Sequence, residues 1–118
     1  MKSNEIIKDS DLNSLLNKVE VGLKQIYGDK LKKIILYGSY ARDQEVNGSD
    51  LDFMALLDLS DEEIESKNEE VLELTVELST RYGIFVSIIK NNLEFFNEWV
   101  DTLPYFKNVL VDGINIYG

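Results

Sequence analysis

Residues 36–57 read LYGSYARDQEVNGSDLDFMALL, and this stretch decides the fold. One apolar run ends in Gly38-Ser39, and a second begins at Asp50-Leu51-Asp52. Because residues two apart in a strand point to the same face of a sheet, Asp50 and Asp52 are expected to project together. The same rule directs Leu51 and Phe53 into the core.

Two carboxylates side by side at a strand end repel each other and need a counter-charge. The sequence contains no histidine and no cysteine. A metal ion at this point would therefore have oxygen ligands, which favours hard cations such as Mg²⁺ or Mn²⁺. A solvated acidic loop edge is the alternative interpretation, and the Asp-Leu-Asp triplet alone does not decide between the two.

The Gly38-Ser39 turn is a candidate anion site, because a residue without a Cβ lets a ligand come close to the backbone. If residues 39–43 (SYARD) begin a short helix, its free N–H groups, the Ser39 hydroxyl and the Arg42 guanidinium would face a phosphate. For Gly-Ser alone, an ordinary strand-to-helix turn is the better explanation. Together, a phosphate-binding turn and a metal-binding pair supply the parts of nucleotidyl transfer, which depends on positioning and charge neutralisation.

Outward from this stretch, apolar spacing and turn residues predict the remaining elements. Ser60 is the expected cap of a long helix that ends at Gly83. The first helix is expected to bury one apolar stripe, formed by Leu12, Leu15, Leu16, Val19, Leu23 and Ile26. Helices are expected over 9–27, 60–82, 92–100 and 103–113, strands over 31–38, 50–59, 84–90 and 114–118, and a loop over 44–49. This order predicts one α/β domain over residues 1–118. The pattern leaves parallel and antiparallel pairing of the first two strands open.

Composition narrows the classes of partner. The 118 residues carry a net charge of −10, which repels nucleic-acid backbones and anionic lipid. No apolar run approaches the roughly 20 residues that span a membrane. We therefore expect no direct nucleic-acid partner and no membrane segment. A large partner is expected to be a protein, and a basic protein would complement the charge of −10. The absence of cysteine fits a cytoplasmic location.

Residues 38–52, GSYARDQEVNGSDLD, resemble the Gly-Ser-(ten residues)-Asp-x-Asp signature of the DNA polymerase β-like nucleotidyltransferase superfamily. Chain length and the ending PYFKNVLVDGINIYG are similar to the minimal nucleotidyltransferases of prokaryotes. The resemblance implies an α/β fold of that type, with a short mixed β-sheet and helices packed mainly on one face. It also implies that Gly38 and Ser39 contact the phosphates of ATP, and that Asp50 and Asp52 bind one or two Mg²⁺ ions.

The sequence departs from that superfamily at Ser87. A third acid commonly stands on the third strand, as general base or metal ligand, and serine is a much weaker candidate for either role. Ser87 shares its predicted strand face with Phe85 and Ile89. Two large apolar neighbours do not suit a hydrated metal pocket unless Phe85 lies at the strand end. A tolerated small core residue is the alternative interpretation of Ser87.

The resemblance implies transfer of AMP, or another NMP, from an NTP to a protein such as a HEPN-type toxin, which is an antitoxin role. The missing acid supports a second hypothesis, a nucleotide-binding module that neutralises its partner by contact alone. A drug-type nucleotidyltransferase with an aminoglycoside acceptor is a third, against which the short chain argues. The sequence does not decide the nucleotide, the acceptor or the oligomeric state.

Overall fold

The computed structural model describes residues 9–38 and 50–118. The elements are the helices α1 (Asp9–Tyr27), α2 (Asp61–Glu65), α3 (Asn68–Tyr82), α4 (Leu93–Trp99) and α5 (Pro104–Asp112), and the strands β1 (Leu31–Tyr37), β2 (Leu51–Leu57), β3 (Val86–Asn92) and β4 (Ile114–Tyr117). A short 3₁₀ turn, Gly28–Lys30, joins α1 to β1. The expected short helix at 39–43 and the loop at 44–49 lie outside the described residues.

The four strands form one mixed sheet in the order β3-β2-β1-β4. β1 pairs antiparallel with both β2 and β4, while β2 and β3 run parallel. The antiparallel pairing of β1 and β2 settles the point that the sequence pattern left open. The expectation of a short mixed sheet is confirmed.

Helices cover both faces of the sheet, but unequally. The larger core cluster joins α1 and α3 to one face, through Leu51, Phe53, Ala55 and Leu57 of β2. The smaller cluster joins α4 and α5 to the other face, through Met54 and Leu56. Because side chains alternate along a strand, β2 supplies both cores. The two longest helices, α1 and α3, share one face, so the helices pack mainly on one face of the sheet, as expected.

The predicted apolar stripe of α1 is confirmed. Its buried members are Leu12, Leu15, Leu16, Val19 and Leu23. They recur at the spacing of one helical face, which packs on the sheet and against α3. At that contact a Cβ built on Gly22 would lie 2.7 Å from Leu74 Cδ1, so the two helices approach closely there.

The single helix expected from Ser60 to Tyr82 is wrong in one respect, because the structure divides it into α2 and α3. Ser60 caps α2 as expected, in a capping box with Glu63. The Ser66 hydroxyl then donates to the Glu63 carbonyl, and Lys67 leaves helical geometry at φ −108° and ψ 6°. Such local side-chain bonds compete with helix continuation. Gly83 ends α3 in the left-handed region, as predicted.

The third strand is shifted by two residues from the expected range 84–90. It begins at Val86, and its last residues, Asn91 and Asn92, pair with Leu56 and Leu57. Asn92 also caps α4, since its side chain accepts a hydrogen bond from the Phe95 N–H. Polar residues late in this strand are therefore held by the strand pairing and by the helix cap.

Within the described residues, no helix combines the length and apolarity needed to cross a membrane.

Candidate nucleotide and metal site

The candidate site lies at the end of the sheet where β1 stops and β2 and β3 begin. Tyr37 pairs with Asp52, and Asp52 pairs with Ser87. Paired residues on neighbouring strands point to the same face. The three side chains therefore form a row, on the face that α4 and α5 cover.

The backbone of Gly38 lies close to the carboxylate of Asp52. Its φ of +82° lies in the left-handed region, which favours glycine. A Cβ built on Gly38 would lie 2.6 Å from Oδ2 of Asp52. Any side chain at this position would push the carboxylate away, so glycine is required for the close approach as well as for the backbone angle.

Asp50 lies one residue before β2 and is exposed. Burial raises the pKa of Asp52, and the nearby charge of Asp50 raises it further. Among residues 9–38 and 50–118, none of the ion pairs involves either carboxylate. The pair is therefore an uncompensated concentration of negative charge within the part of the chain that the structure describes.

These residues fit a hard divalent cation. Asp50, Asp52 and the Ser87 hydroxyl offer only oxygen donors, the type that Mg²⁺ prefers. The described residues hold no group of three or more acidic, histidine or cysteine side chains that could complete a metal site alone. The remaining ligands would come from phosphate oxygens and water, which is common for Mg²⁺ in nucleotide sites.

Ser87 lies beside Asp52 and is partly buried, whereas Val86 and Ile88 on either side of it are buried on the other face. Phe85 precedes β3 and is 61% exposed. The condition raised by the sequence, that Phe85 stand at the strand end, is therefore met. The two apolar neighbours of Ser87 on this face, Phe85 and Ile89, are exposed and do not bury it.

Two tyrosines at this site were not identified from the sequence. The Tyr37 hydroxyl lies 2.8 Å from the Tyr105 hydroxyl, and the two rings meet edge to face at 6.0 Å. Burial raises the pKa of Tyr37, and the hydrogen bond to Tyr105 and the charges of Tyr105 and Asp52 raise it further. Tyr37 precedes Gly38, so the antiparallel register would have placed it opposite Asp52. No local signal indicates Tyr105, which is 68 residues away.

The structure thus brings together Gly38, Asp50 and Asp52 from the five residues singled out in the sequence. Ser39 and Arg42 lie outside the described residues, so their contact with a nucleotide stays a prediction. The roles of the other three as ligands also stay predictions, supported by their placement at one strand end.

Comparison with known proteins gives a consistent result. The sequence profile of a family described as the nucleotidyltransferase domain matches residues 16–112. A chain of Methanocaldococcus jannaschii that carries the name protein adenylyltransferase is 33% identical over 95 residues, covering 80% of this chain and 87% of that relative.

Two solved structures share the fold. A chain of a toxin–antitoxin complex crystallised with AMP-PNP superposes with a TM-score of 0.57 at 21% identity, covering 87% of this chain and 73% of that chain. A chain from a complex of tri-AMPylated Shewanella oneidensis HEPN toxin with an MNT antitoxin gives a TM-score of 0.53 at 20% identity, covering 90% and 71%. At these identities the likeness establishes the fold.

Proposed function

This chain belongs to the nucleotidyltransferase domain family, and we propose that it transfers AMP from ATP to a hydroxyl group of a protein acceptor. The observation that carries the proposal is the position of the Asp52 carboxylate. It lies against the Gly38 backbone, beside Asp50, and without a cationic partner among the described residues. A triphosphate and two carboxylates meet only when a cation lies between them.

Asp50 and Asp52 would hold Mg²⁺, which when bound neutralises phosphate charge and polarises the phosphoryl group. Because Gly38 has no Cβ, the Asp52 carboxylate can lie against the end of β1, where the triphosphate is proposed to bind. Ser39 and Arg42 are proposed to bind its phosphate oxygens. These residues fix the α-phosphate so that the acceptor hydroxyl lies opposite the leaving pyrophosphate, as in-line transfer requires.

In the transfer, a bond forms between the acceptor oxygen and the α-phosphorus, and the bond from that phosphorus to the bridging oxygen breaks. Pyrophosphate leaves with the bond electrons, and the acceptor loses its proton. Ser87 stands where a third carboxylate would accept this proton, and its neutral hydroxyl is a poor base. We infer that the proton passes to water or to a group of the acceptor protein, and that the isolated chain is slow.

The acceptor that we propose is a HEPN-type toxin, so that the chain acts as an antitoxin in the cytoplasm. Support comes from the relative named protein adenylyltransferase and from the structure of an AMPylated HEPN toxin with its MNT antitoxin. The acidic surface, with a net charge of −10, suits a protein partner better than a nucleic acid. Ser87 favours a second candidate, neutralisation of the toxin by contact alone.

The test is transfer of label from α-labelled ATP to a purified HEPN-type toxin. We expect Mg²⁺-dependent labelling that falls about a thousandfold in Asp50→Asn/Asp52→Asn, since metal charge stabilisation is worth several kcal/mol. Glu69→Gln/Glu73→Gln removes the same charge from α3, on the other sheet face, and should label normally. Absence of labelling despite toxin neutralisation by the wild type and the double aspartate variant would establish the contact-only function instead.

A further inference from the structure

We propose that the exposed aromatic surface of α4 and α5 docks a basic, helical surface of the acceptor protein, an inference that rests on the proposed function. The aromatic surface consists of Phe95 and Trp99 of α4, Tyr105 of α5, and Leu103, which immediately precedes α5. These side chains are 46%, 38%, 47% and 36% exposed, in that order. Large contiguous apolar patches on soluble proteins often mark interaction sites, and aromatic residues are enriched in the centres of protein interfaces.

The rings of this surface are fixed by contacts with one another and with the buried Phe106. The ring of Phe95 lies 6.2 Å from that of Trp99 and 5.8 Å from that of Phe106. The ring of Tyr105 lies 6.0 Å from that of Phe106. Rings held in this way lose little conformational freedom when a partner covers them, which favours binding.

Charge around the aromatic surface selects the type of partner. Residues 93–112 contain the acids Glu94, Glu98, Asp101 and Asp112 and a single base, Lys107. All four acids are exposed, and none forms an ion pair with another residue in the described part of the chain. A basic partner gains from this rim, because complementary charge speeds association and fixes orientation.

The same charges disfavour a second copy of this chain as the occupant. In a two-fold symmetric dimer the same patch appears on both sides of the interface. The acidic rim would then face its own copy, and each chain already carries a net charge of −10. A basic helix with an apolar stripe offers contacts to both the aromatic centre and the acidic rim.

The aromatic surface is continuous with the candidate site. The Tyr105 hydroxyl is bonded to the Tyr37 hydroxyl, and Tyr37 pairs with Asp52. An acceptor bound to α4 and α5 therefore lies at the edge of the face from which Asp52 and Ser87 project. The exposed apolar residues Leu72 and Val76 belong to α3, which packs on the opposite face. They offer a matched control surface.

The test uses Trp99 as its reporter, because it is the only tryptophan in the chain. The probe is a synthetic amphipathic helix of about 18 residues, or five turns, made of leucine and lysine, and its matched control replaces lysine by glutamate. Titration of the whole chain with the lysine peptide should shift Trp99 emission to shorter wavelength as the indole leaves water. The glutamate peptide should leave the emission unchanged.

Paired variants locate the binding. Phe95→Ala/Leu103→Ala should weaken the lysine peptide at least about tenfold, as expected for central interface residues, and Leu72→Ala/Val76→Ala less than about twofold. Glu94→Gln/Glu98→Gln should lower the affinity and its salt dependence, whereas Glu69→Gln/Glu73→Gln should change neither. Circular dichroism verifies folding, and the glutamine pairs decide the outcome if the alanine pair unfolds.

The proposal would be overturned if the two alanine double variants weakened peptide binding equally, or if the two glutamine double variants did. Either result would show that the peptide binds non-specifically. An absent response to the lysine peptide would also overturn the proposal, as would a Trp99 shift that grows with protein concentration alone, which would identify a second copy as the occupant. Asp50→Asn/Asp52→Asn should bind the peptide normally. Docking without nucleotidyl transfer would therefore reject the proposed function while the docking surface stands.

Discussion

The two faces of the sheet differ in how much apolar material they bury and in what they leave exposed. Among the described residues, nineteen buried side chains form the cluster on the α1 and α3 face, and six form the cluster on the α4 and α5 face. The smaller cluster adjoins Asp52, Ser87 and the aromatic surface. Buried apolar side chains are therefore concentrated on one face, and the residues proposed to bind ligands lie on the face with the smaller core.

Adjacent leucines in β2 test this contrast most strongly. Leu57 faces the larger cluster and Leu56 the smaller one, and both are essentially buried. We expect Leu57→Ala to lower the free energy of unfolding by about 3–5 kcal/mol and Leu56→Ala by about 2–3 kcal/mol. The short helices α4 and α5 can move into a cavity more easily than the two long helices. Urea denaturation measures both, and an equal or larger loss for Leu56→Ala would contradict the contrast.

Alanine variants of two glycines distinguish the effect of backbone strain on stability from an effect on the candidate site. Gly38 and Gly83 have φ of +82° and +66°, but only a Cβ at Gly38 would meet a neighbour, Asp52. Each alanine variant should lose about 1–2 kcal/mol of stability from left-handed strain. Gly38→Ala should in addition lower the rate of transfer about a hundredfold, because displacement of a site group by an ångström has an effect of that size. Comparable activity in both variants would remove Gly38 from the site.

A third carboxylate on the sheet face with the smaller core should increase the rate of nucleotidyl transfer. Ser87→Asp places an acid beside Asp52, and we expect turnover to rise at least about tenfold, since general bases contribute about 10²–10⁴-fold. Ser87→Asn controls for size. Asn91→Asp controls for charge, because Asn91 pairs with Leu56 farther along the same face. Fast transfer by the wild type together with a decrease in Ser87→Asp would show that the acceptor brings its own activation.

The smallest expected effect is on the pH dependence of stability. Because the pKa of Asp52 is raised above its ordinary value of 3.8 in the folded state, the native protein binds this proton more tightly than the unfolded chain does. Stability from this group is therefore present at low pH and lost as the pH rises through the folded-state pKa. Solvent screening limits the effect to less than about 1 kcal/mol.

In EDTA, Asp52→Asn should accordingly unfold at a slightly higher temperature than the wild type at neutral pH. The difference should vanish below about pH 3, where the aspartate is also neutral. Asp58→Asn removes an exposed charge just after β2 and serves as the control. Thermal unfolding at several pH values measures the difference, and a stabilisation that increases toward low pH would have the wrong sign.

The sequence predicted the parts of the fold that depend on local pattern. The alternation of Leu51, Asp52 and Phe53, the stripe of α1 and the cap at Gly83 follow from strand period, helix period and backbone freedom. The break at Ser66 was missed because it depends on one side-chain hydrogen bond. The shift of β3 was missed because Asn91 and Asn92 are held by neighbours distant in sequence.

The candidate site likewise contains residues that the sequence predicted and residues that it did not. Motif spacing predicted that Asp50 and Asp52 lie near Gly38, and in the structure β1 stops at the end of the sheet where β2 begins. The pairing of Tyr37 with Asp52 required the strand register, and the bond from Tyr37 to Tyr105 required the packing of α5. Those contacts arise from tertiary structure, and no local pattern contains them.

Calorimetric titration with ATP, in Mg²⁺ and in EDTA, tests most directly whether Asp50 and Asp52 form a metal-dependent nucleotide site. The wild type should bind ATP at least about tenfold more tightly in Mg²⁺, because the carboxylates and the triphosphate repel each other without a cation. Asp50→Asn/Asp52→Asn should bind ATP weakly and equally in both conditions. Equal affinity of the wild type for ATP in Mg²⁺ and in EDTA would contradict the metal site.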